Sequence, residues 1–437
     1  MSPLGFLHIA LFLIYAALLF VFILRGRFFL IEGISRKHLS FFFLFKVVAG
    51  ILLVLVYTHY YTDRFKQDIY RYFDDSVIIS NILFINPLAW LKVMTGYGMY
   101  EPKVFQYLVH TEHFTHPVHD IVTSNFLIIR LISLLNFFSA YNIYINTLFF
   151  SFFSFTGCVL LFKSFRPYFS SLPALLYLPL FLVPSVVFWS SGLLKETILF
   201  FAIGIYLRSL LKWNSTRNDV YIIMSVLAFV VIALTKIYLA ATLLWCSFLL
   251  PINLSSIKSR FETERRMVVF VLIGLFSVCF YGTELCNKVI EKRNEFVTLA
   301  IDESAGSAID LEMQPIDCTS LFALLPKATF GAIFRPFVWE GNLIQKGFAL
   351  ETGILVLIAL YLLRFIRLPV GDRRWLALFC LSFSLINYAI IGATVPIMGA
   401  IVHYRVVSLV FMLLFIMLLM DEEKLKWEKI FSIFSNK

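Results

Sequence analysis

Charged residues are scarce in this sequence, and their scarcity excludes a soluble globular domain. Only 15% of the 437 residues are Asp, Glu, Lys or Arg, 60% are hydrophobic, and the mean hydropathy is +0.86. Soluble domains carry about 25% charged residues. The composition therefore predicts an all-α membrane protein whose helices cross the bilayer many times.

The sequence also lacks a convincing internal repeat, a low-complexity linker and a concentrated basic face. The formal net charge is +10, but Lys and Arg are distributed in small groups between apolar runs. A nucleic-acid-binding domain concentrates its cations on one face, so we expect no nucleic-acid partner. The absence of a linker predicts one integrated membrane domain over residues 1–437.

Cysteine is infrequent, with six residues in the sequence. Four of them lie inside apolar runs and are predicted to be buried small hydrophobic side chains; they are Cys158, Cys246, Cys279 and Cys380. Cys286 and Cys318 share one long polar segment instead. We expect a disulfide between these two if that segment faces an oxidising compartment.

The apolar runs predict about eleven membrane spans. No basic region precedes the first run, so it is predicted to be a retained span rather than a cleaved signal. The sixth and seventh runs are shorter than the roughly 20 residues of a full crossing. One long tilted helix is the alternative there, but Lys236 favours a turn. The predicted spans are 5–24, 39–57, 144–162, 172–188, 194–211, 220–234, 238–252, 267–281, 348–366, 375–391 and 406–420.

Basic residues follow every odd-numbered span, which orients the whole chain. Short loops rich in Lys and Arg stay in the cytoplasm, so the amino terminus is predicted outside and the tail 421–437 inside. Two long external loops result, 58–142 and 282–346. Within the first, residues 76–94 and 126–138 are apolar enough to lie along the interface but are interrupted by Pro87 and Arg130, which predicts amphipathic surface helices or partial re-entrant segments.

A group of aspartates among aromatic residues follows the second span. The group comprises Asp63, Asp68, Asp74 and Asp75. Carboxylates at a membrane surface can act as a general base towards a sugar hydroxyl, or hold a divalent cation that binds a diphosphate. The alternative is an aromatic belt at the interface, with the aspartates paired to Arg64 and Arg71.

Histidines recur at every third position from His110 to His119. Imidazole and carboxylate groups at such spacing suit zinc or manganese. Pro117 interrupts a helix here and the repeat matches no metal signature, so a solvated loop is favoured. No metal ligand is assigned, and a divalent cation remains one candidate cofactor.

A polar hairpin, residues 190–196, joins two apolar runs on the predicted external face. Residues 190–192 can free backbone N–H groups at the start of the next helix, and Lys195 beside them makes an anion site. The alternative is that Glu196 neutralises Lys195 in a structural ion pair. Lys236 adds a further cation to this face.

Two more external groups contain cations beside aromatic rings. Arg335, Trp339 and Glu340 precede the ninth span, where arginine can bind phosphate and tryptophan can stack on a sugar. An aromatic anchor with Arg335 paired to Glu340 is the alternative. His403 and Arg405 stand before the last span.

The Ser-Ser-Gly-x-x-Lys-Glu hairpin, the Arg-Pro-Phe-x-Trp-Glu segment and the final His-Tyr-Arg resemble two bacterial families that use polyprenyl-linked sugars. These are the membrane glycosyltransferases of the C type and the O-antigen polymerases. The first family uses an acid of the first external loop as base or metal ligand, which points to Asp74 and Asp75, or to Asp63 and Asp68. This chain departs from that family by an additional span before the loop.

O-antigen polymerases instead use external arginines, for which Arg335 and Arg405 would be the counterparts. The resemblance implies an enzyme of the bacterial cytoplasmic membrane that transfers or polymerises sugar from a lipid-linked saccharide, with membrane lipid around it. A transporter or flippase of lipid-linked saccharide, or a non-catalytic assembly component, are the alternatives. The expected catalytic residues are Asp68, Asp74, Asp75 and Glu196, and the expected substrate-binding residues are Lys195, Lys236, Arg335, Trp339, Glu340, His403 and Arg405.

Overall fold

The protein is described from a computed structural model that covers residues 3–61, 63–64, 67–114, 124–252, 260–302, 307–309 and 315–426. Over these residues the chain is all-helical, and its only β-type pairings are isolated bridges. The α-helices are α1 Pro3–Arg25, α2 Arg36–His59, α3 Asp68–Ile85, α4 Pro87–Thr95, α5 Pro102–Phe105, α6 Phe126–Ser139, α7 Ile143–Phe165, α8 Pro184–Trp189, α9 Lys195–Thr216, α10 Val220–Thr235, α11 Ile237–Ser247, α12 Arg260–Asp302, α13 Cys318–Phe334, α14 Leu343–Leu362, α15 Gly371–Thr394, α16 Met398–Tyr404, α17 Val406–Leu418 and α18 Glu422–Lys426.

Five of the described helices are long and apolar enough to cross a membrane. Two bent helix pairs raise the number to seven if each pair forms one span; the bends are 64° within α12 and 55° between α16 and α17. The prediction of a multi-span α-helical membrane protein is confirmed at this level, and the count of eleven remains a prediction. The five are Gly5–Arg25, Arg36–His59, Ile143–Tyr168, Leu343–Phe365 and Gly371–Thr394.

The predicted span 172–188 is broken into short pieces. Pro173, Pro179 and Pro184 each begin or interrupt a turn, and the segment consists of Pro173–Leu176, Leu178–Leu182 and α8. Proline has no N–H to donate and its ring clashes with the preceding turn, so a continuous helix cannot form here. The two short runs after α9 are separate helices, and Lys236 is the residue between them, as the sequence predicts.

Both predicted external loops contain helices. The first includes α3, α4 and α6, so helices are present at both predicted places, and their interfacial position stays a prediction. Pro87 starts α4, and the Asn86 side chain caps it by accepting from Ala89 N at 3.1 Å. The second, 282–346, holds the last part of α12 and all of α13. Much of these two segments is therefore helical rather than irregular.

The chain divides into two compact units, which are described separately. Unit 1 comprises Met1–Ser164, Val187–Leu210 and Asn218–Ile237. Helices α7 and α9 cross closely in it, because a Cβ at Gly204 would lie only 2.5 Å from the carbonyl oxygen of Gly157. Small residues at such a crossing allow two membrane helices to pack backbone to backbone.

Helices α3 and α6 of unit 1 are joined by buried polar side chains. Ser80 Oγ donates to the Ser133 carbonyl at 3.0 Å, and Asn136 Nδ2 donates to Ser76 Oγ at 3.0 Å. Asn146 Nδ2 on α7 donates to Asn136 Oδ1 at 2.7 Å. Hydrogen bonds between helices satisfy polar groups that would have no partner in an apolar environment. These bonds fix the positions of the three helices relative to one another.

Unit 2 comprises Phe165–Val186, Leu211–Arg217 and Tyr238–Lys437. Its core contains α13, α15 and α17. Phe383 and Phe411 meet edge to face with ring centroids 4.9 Å apart, and Asn387 on α15 donates to Thr242 Oγ1 on α11 at 3.1 Å. Gly392 allows α15 to approach the backbone of α13 at Ala328.

A glutamate near the end of the described chain links three parts of unit 2. One Glu422 oxygen accepts from the backbone N–H groups of Ser171 and Leu172 at 2.7 and 2.8 Å, and the other accepts from Arg373 Nη1 at 2.9 Å. Glu422 is buried. The proline-broken segment, α15 and α18 are therefore joined at one carboxylate.

The cysteines follow the prediction with one exception. Cys286 and Cys318 form a disulfide between α12 and α13, with their Cα atoms 5.7 Å apart, and Cys158, Cys246 and Cys380 are buried. Cys279 is exposed, so its predicted burial is wrong. The apolar side chains of α12 around it, such as Phe276 and Phe280, are exposed as well.

Candidate functional site

Asp74, a predicted catalytic acid, forms a two-bond ion pair at the start of α3. Arg64 donates from Nε to Oδ2 at 2.8 Å and from Nη2 to Oδ1 at 2.6 Å. The hydrogen bond to Asp74 raises the pKa of Arg64, and the guanidinium lies 4.1 Å from the ring centre of Tyr70. This pairing of an aspartate with Arg64 in an aromatic setting is the alternative that the sequence left open.

Asp75, the neighbouring acid, has different partners and is buried, with 1% of its surface exposed. Its carboxylate accepts from the backbone N–H groups of Glu112 and His113 at 2.8 and 3.0 Å, and from His113 Nδ1 at 2.8 Å. Adjacent residues on a helix point in different directions. The Asp74–Asp75 pair therefore does not form one shared carboxylate site.

The other acids of this segment lie nearby. Asp68 is half-buried in the first turn of α3, where a carboxylate interacts favourably with the helix dipole. Asp63 is exposed. Arg71 pairs with Glu112 at 3.6 Å rather than with an aspartate. The described acids thus lie in separate environments, and the general-base assignment to any one of them stays a prediction.

The polar hairpin before α9 is buried, including Ser190 and Ser191. Its backbone is held by hydroxyl groups: Ser151 Oγ donates to the Ser191 carbonyl at 2.6 Å, and Thr197 Oγ1 donates to the Gly192 carbonyl at 2.8 Å. Helix α9 begins at Lys195, whose ammonium donates to Ser124 Oγ at 2.6 Å. The role of Lys195 in binding an anion remains a prediction.

Glu196 forms an ion pair with Lys236, the residue between α10 and α11. Lys236 Nζ lies 2.5 Å from Glu196 Oε1, and the two side chains are 9% and 1% exposed. The sequence predicts, as one of two alternatives, that Glu196 neutralises Lys195. The structure brings two predicted site residues together, one as the counter-ion of the other.

A second buried lysine, on α2, was not among the predicted site residues. Lys46 is buried and donates to Ser190 Oγ of the hairpin at 2.7 Å. Among the described residues no carboxylate pairs with it. A lysine in the middle of the run 39–57 is the signal that could have singled it out, since ionisable groups within spans are rare and functional by default.

Arg335 and Glu340 form an ion pair beside an exposed aromatic stack in unit 2. Arg335 Nε lies 3.2 Å from Glu340 Oε1, and Glu340 Oε2 accepts from the backbone N–H of Phe337 at 3.0 Å. Trp339, 80% exposed, stacks on Phe337 with ring centroids 5.0 Å apart. The predicted pairing is confirmed, and a flat indole face is open to a ligand.

A cleft next to Arg335 collects three cationic side chains. Arg335, Arg293 of α12 and Lys327 of α13 line it, together with the break between α15 and α16 at Val395 and Pro396. The cleft is partly open to solvent, and its cavity volume is about 20 Å³. None of its described lining residues is acidic. Sequence analysis missed both: Arg293 stands in the ordinary mixed-charge run 291–295, and Lys327 is a lone cation in an apolar helix.

Arg405 has a structural environment. The buried guanidinium donates from Nη1 to the carbonyl oxygens of Ala332, Ile333 and Arg335 at 3.1, 2.9 and 2.5 Å, and from Nη2 to Thr352 Oγ1 at 2.9 Å. A cation at a helix carboxyl end satisfies carbonyls that have no partner within the helix. Arg405 thus caps α13 and supports the backbone of Arg335. His403 is buried nearby on α16.

The predicted histidine cluster lies partly outside the described residues. His110 is exposed and His113 binds Asp75, whereas His116, His119 and Asp120 fall outside the described part. Within the described part, no three His, Cys, Asp or Glu side chains are grouped to hold a metal. Comparisons of the chain with protein-family models, with curated proteins and with solved structures found no match.

Proposed function

We propose that the protein is a membrane enzyme that transfers or polymerises sugar from a lipid-linked donor at the outer face of a bacterial cytoplasmic membrane. The observation that supports this most is the cleft with Arg293, Lys327 and Arg335. A phosphate or diphosphate leaving group gains negative charge as the glycosidic bond breaks, and preorganised cations stabilise that charge.

The aromatic stack beside the cleft supports a sugar ligand. Trp339 presents an open indole face, and Arg335 links the stack to the cleft through its pair with Glu340. Aromatic faces suit the apolar faces of sugar rings, and arginine binds phosphate through two parallel hydrogen bonds. A donor with its sugar at Trp339 and its phosphate at Arg335 fits this order of groups.

The decisive experiment uses the purified protein in proteoliposomes with a fluorescent polyprenyl-diphosphate-linked oligosaccharide. We expect a longer or transferred glycan by gel or mass spectrometry. Arg293→Gln, Lys327→Gln and Arg335→Gln should each reduce product formation at least about 100-fold, as removal of one charge-stabilising donor does elsewhere. Lys288→Gln is the matched control, because Lys288 is an exposed α12 residue paired with Glu284.

A transporter or flippase of lipid-linked saccharide is the second candidate, and Lys46 is the observation that favours it. Transporters place ionisable groups inside spans, and Lys46 is buried on a span in contact with Ser190. The same proteoliposomes separate the two functions. A flippase moves the labelled lipid to the outer leaflet without changing its glycan, whereas a transferase changes the glycan.

The orientation and the full span count belong to this proposal too. Single cysteines at Tyr97 and Leu368, which are 84% and 80% exposed, test the orientation in a variant that lacks Cys279. An impermeant maleimide added to whole cells should label residue 97 and not residue 368. The opposite labelling would reverse the orientation and move Trp339 and Arg335 to the cytoplasmic side.

A further inference from the structure

Lys46 carries a charge inside unit 1 that no described carboxylate balances. The residue lies within α2 and is 4% exposed, and its ammonium donates to Ser190 Oγ at 2.7 Å. Glu196, the acid nearest to Ser190 in the sequence, pairs with Lys236 instead. A buried charge is costly unless an opposite charge lies beside it. An anion next to the ammonium would therefore stabilise the folded state.

The Lys46 ammonium also has hydrogen-bond donors left over. A lysine ammonium has three N–H donors, and the Ser190 hydroxyl accepts from one of them. No other acceptor takes a hydrogen bond from this ammonium within the described part of the chain. Two donors are thus left for a ligand.

Ser154 on α7 lies beside Lys46. Helices α2 and α7 pack closely, since a Cβ at Gly50 would lie 2.9 Å from Ser151 Oγ. One turn before Gly50 on α2, Lys46 is close enough to Cys158 of α7 for an electrostatic interaction. Ser154 lies between Ser151 and Cys158 on the same face of α7, because residues three and four positions apart are neighbours on a helix. Its side chain therefore faces Lys46.

The hydroxyl of Ser154 has no partner in the described part of the chain. The side chain is fully buried, and its Oγ makes no hydrogen bond there. A serine within a helix can donate back to the carbonyl four residues earlier, as Ser164 of α7 does to Leu160 at 2.8 Å. A buried polar group without a partner costs free energy. A ligand that accepts the Ser154 hydrogen would remove that cost.

We propose that unit 1 binds one small monovalent anion, such as chloride, between α2 and α7. The Lys46 ammonium supplies the opposite charge and two donors, and Ser154 Oγ donates a further hydrogen bond. Water would satisfy the donors but not the charge, so an anion fits better than water. Lys46, Ser154, Cys158 and Ser190 are all buried, which excludes a bulky anion such as a lipid phosphate. The inference is independent of the proposed function.

Thermal unfolding of the purified full-length protein in bicelles tests the site, with chloride compared to the bulky anion gluconate at equal ionic strength. A ligand that binds only the folded state raises its stability. Chloride should raise the midpoint temperature of the wild type by about 2 °C or more. It should leave the midpoint of Lys46→Met unchanged. The comparison of two anions within each variant removes the cost of the substitution itself.

Ser154→Ala is the more specific variant, because it removes a hydroxyl without a protein partner. It should be as stable as the wild type in gluconate and bind chloride about 10-fold more weakly, the loss of one hydrogen bond to a charged group. Ser164→Ala is the matched control, since Ser164 is a buried serine of the same helix whose hydrogen bond stays within α7. Its response to chloride should equal that of the wild type.

Equilibrium dialysis with radioactive chloride measures the bound ion directly. We expect a single saturable ion per chain in the wild type and in Ser164→Ala, and its loss in Lys46→Met. If Lys46→Met does not fold, the weaker binding of Ser154→Ala answers for it. Two results would overturn the inference. One is the absence of a saturable ion in the wild type, and the other is an equal chloride response in the wild type and Ser154→Ala, which would indicate general screening.

Discussion

Lys236 and Glu196 form a buried ion pair that joins the start of α9 to the residue between α10 and α11, with 2.5 Å between Nζ and Oε1. Each residue ends up beside a charge that lies 40 positions away in the sequence. Removing two charges from water costs several kcal/mol per ion, and close pairing repays it only while both partners are present. The pair therefore makes the folding of α9 and α10 mutually dependent.

The first prediction concerns this pair. Glu196→Gln or Lys236→Met alone should destabilise the protein by about 3–5 kcal/mol, because one charge stays buried without a partner. The double variant should recover most of that loss. Reversible unfolding in bicelles measures all three variants. An additive double variant would mean that the two side chains do not interact energetically.

The second prediction concerns Lys46 and Ser190. Ser190→Ala removes the hydroxyl that accepts from the buried ammonium and should cost about 1.5–3 kcal/mol, the range for a hydrogen bond to a charged group. Lys46→Met removes the charge together with its need for a partner and should cost less. Unfolding in the same bicelles ranks the two variants. The reverse order would show that Lys46 has a further stabilising contact.

The third prediction separates the capping role of Arg405 from a ligand role. Arg405→Lys keeps the charge but cannot span three carbonyls and Thr352, so we expect a loss of about 2–3 kcal/mol of stability from the carbonyls left unsatisfied. Thr352→Val, which removes a single acceptor, should cost about 1 kcal/mol. Thermal unfolding of α13 followed by a probe at its end provides the comparison, and equal losses would argue against the cap.

The fourth prediction concerns the disulfide between α12 and α13. Its partners are 32 residues apart, so reduction should cost between about 3 and 4.7 kcal/mol on the chain-entropy estimate. Cys286→Ser should reproduce the loss, and Cys279→Ser, at an exposed free cysteine, should not. Stability before and after reduction provides the measurement. A disulfide in cells, seen as faster migration on non-reducing gels, also supports an oxidising compartment for this part of the chain.

The apolar runs predicted where helices form, but they predicted less well which runs form one continuous helix of membrane length. The long runs 5–24, 39–57 and 375–391 correspond to α1, α2 and α15, because length and apolarity alone define a membrane helix. The run 172–188 has the same average hydropathy character but contains three prolines that prevent a continuous helix. The average hydropathy of a segment does not depend on where its prolines lie, so it cannot show that they break the helix.

Pairings were predictable when the partners were close in sequence. Arg335 and Glu340 lie five positions apart and pair as expected, and Arg64 pairs with an aspartate as expected. The partners of Glu196, Lys46 and Asp75 lie far along the chain, where no local pattern can indicate which helices meet. The cleft at Arg293 and Lys327 depends on the same long-range packing.

The Glu422 carboxylate limits where the chain can be truncated or fused to another protein. The carboxylate accepts hydrogen bonds from Ser171, Leu172 and Arg373 at once. Residues 421–426 therefore hold the proline-broken segment in place. A truncation that removes residues 421–426 would release that segment. Its three prolines prevent a continuous helix, so the segment could not hold its conformation alone. Reporter fusions that read out topology should therefore be joined beyond residue 426.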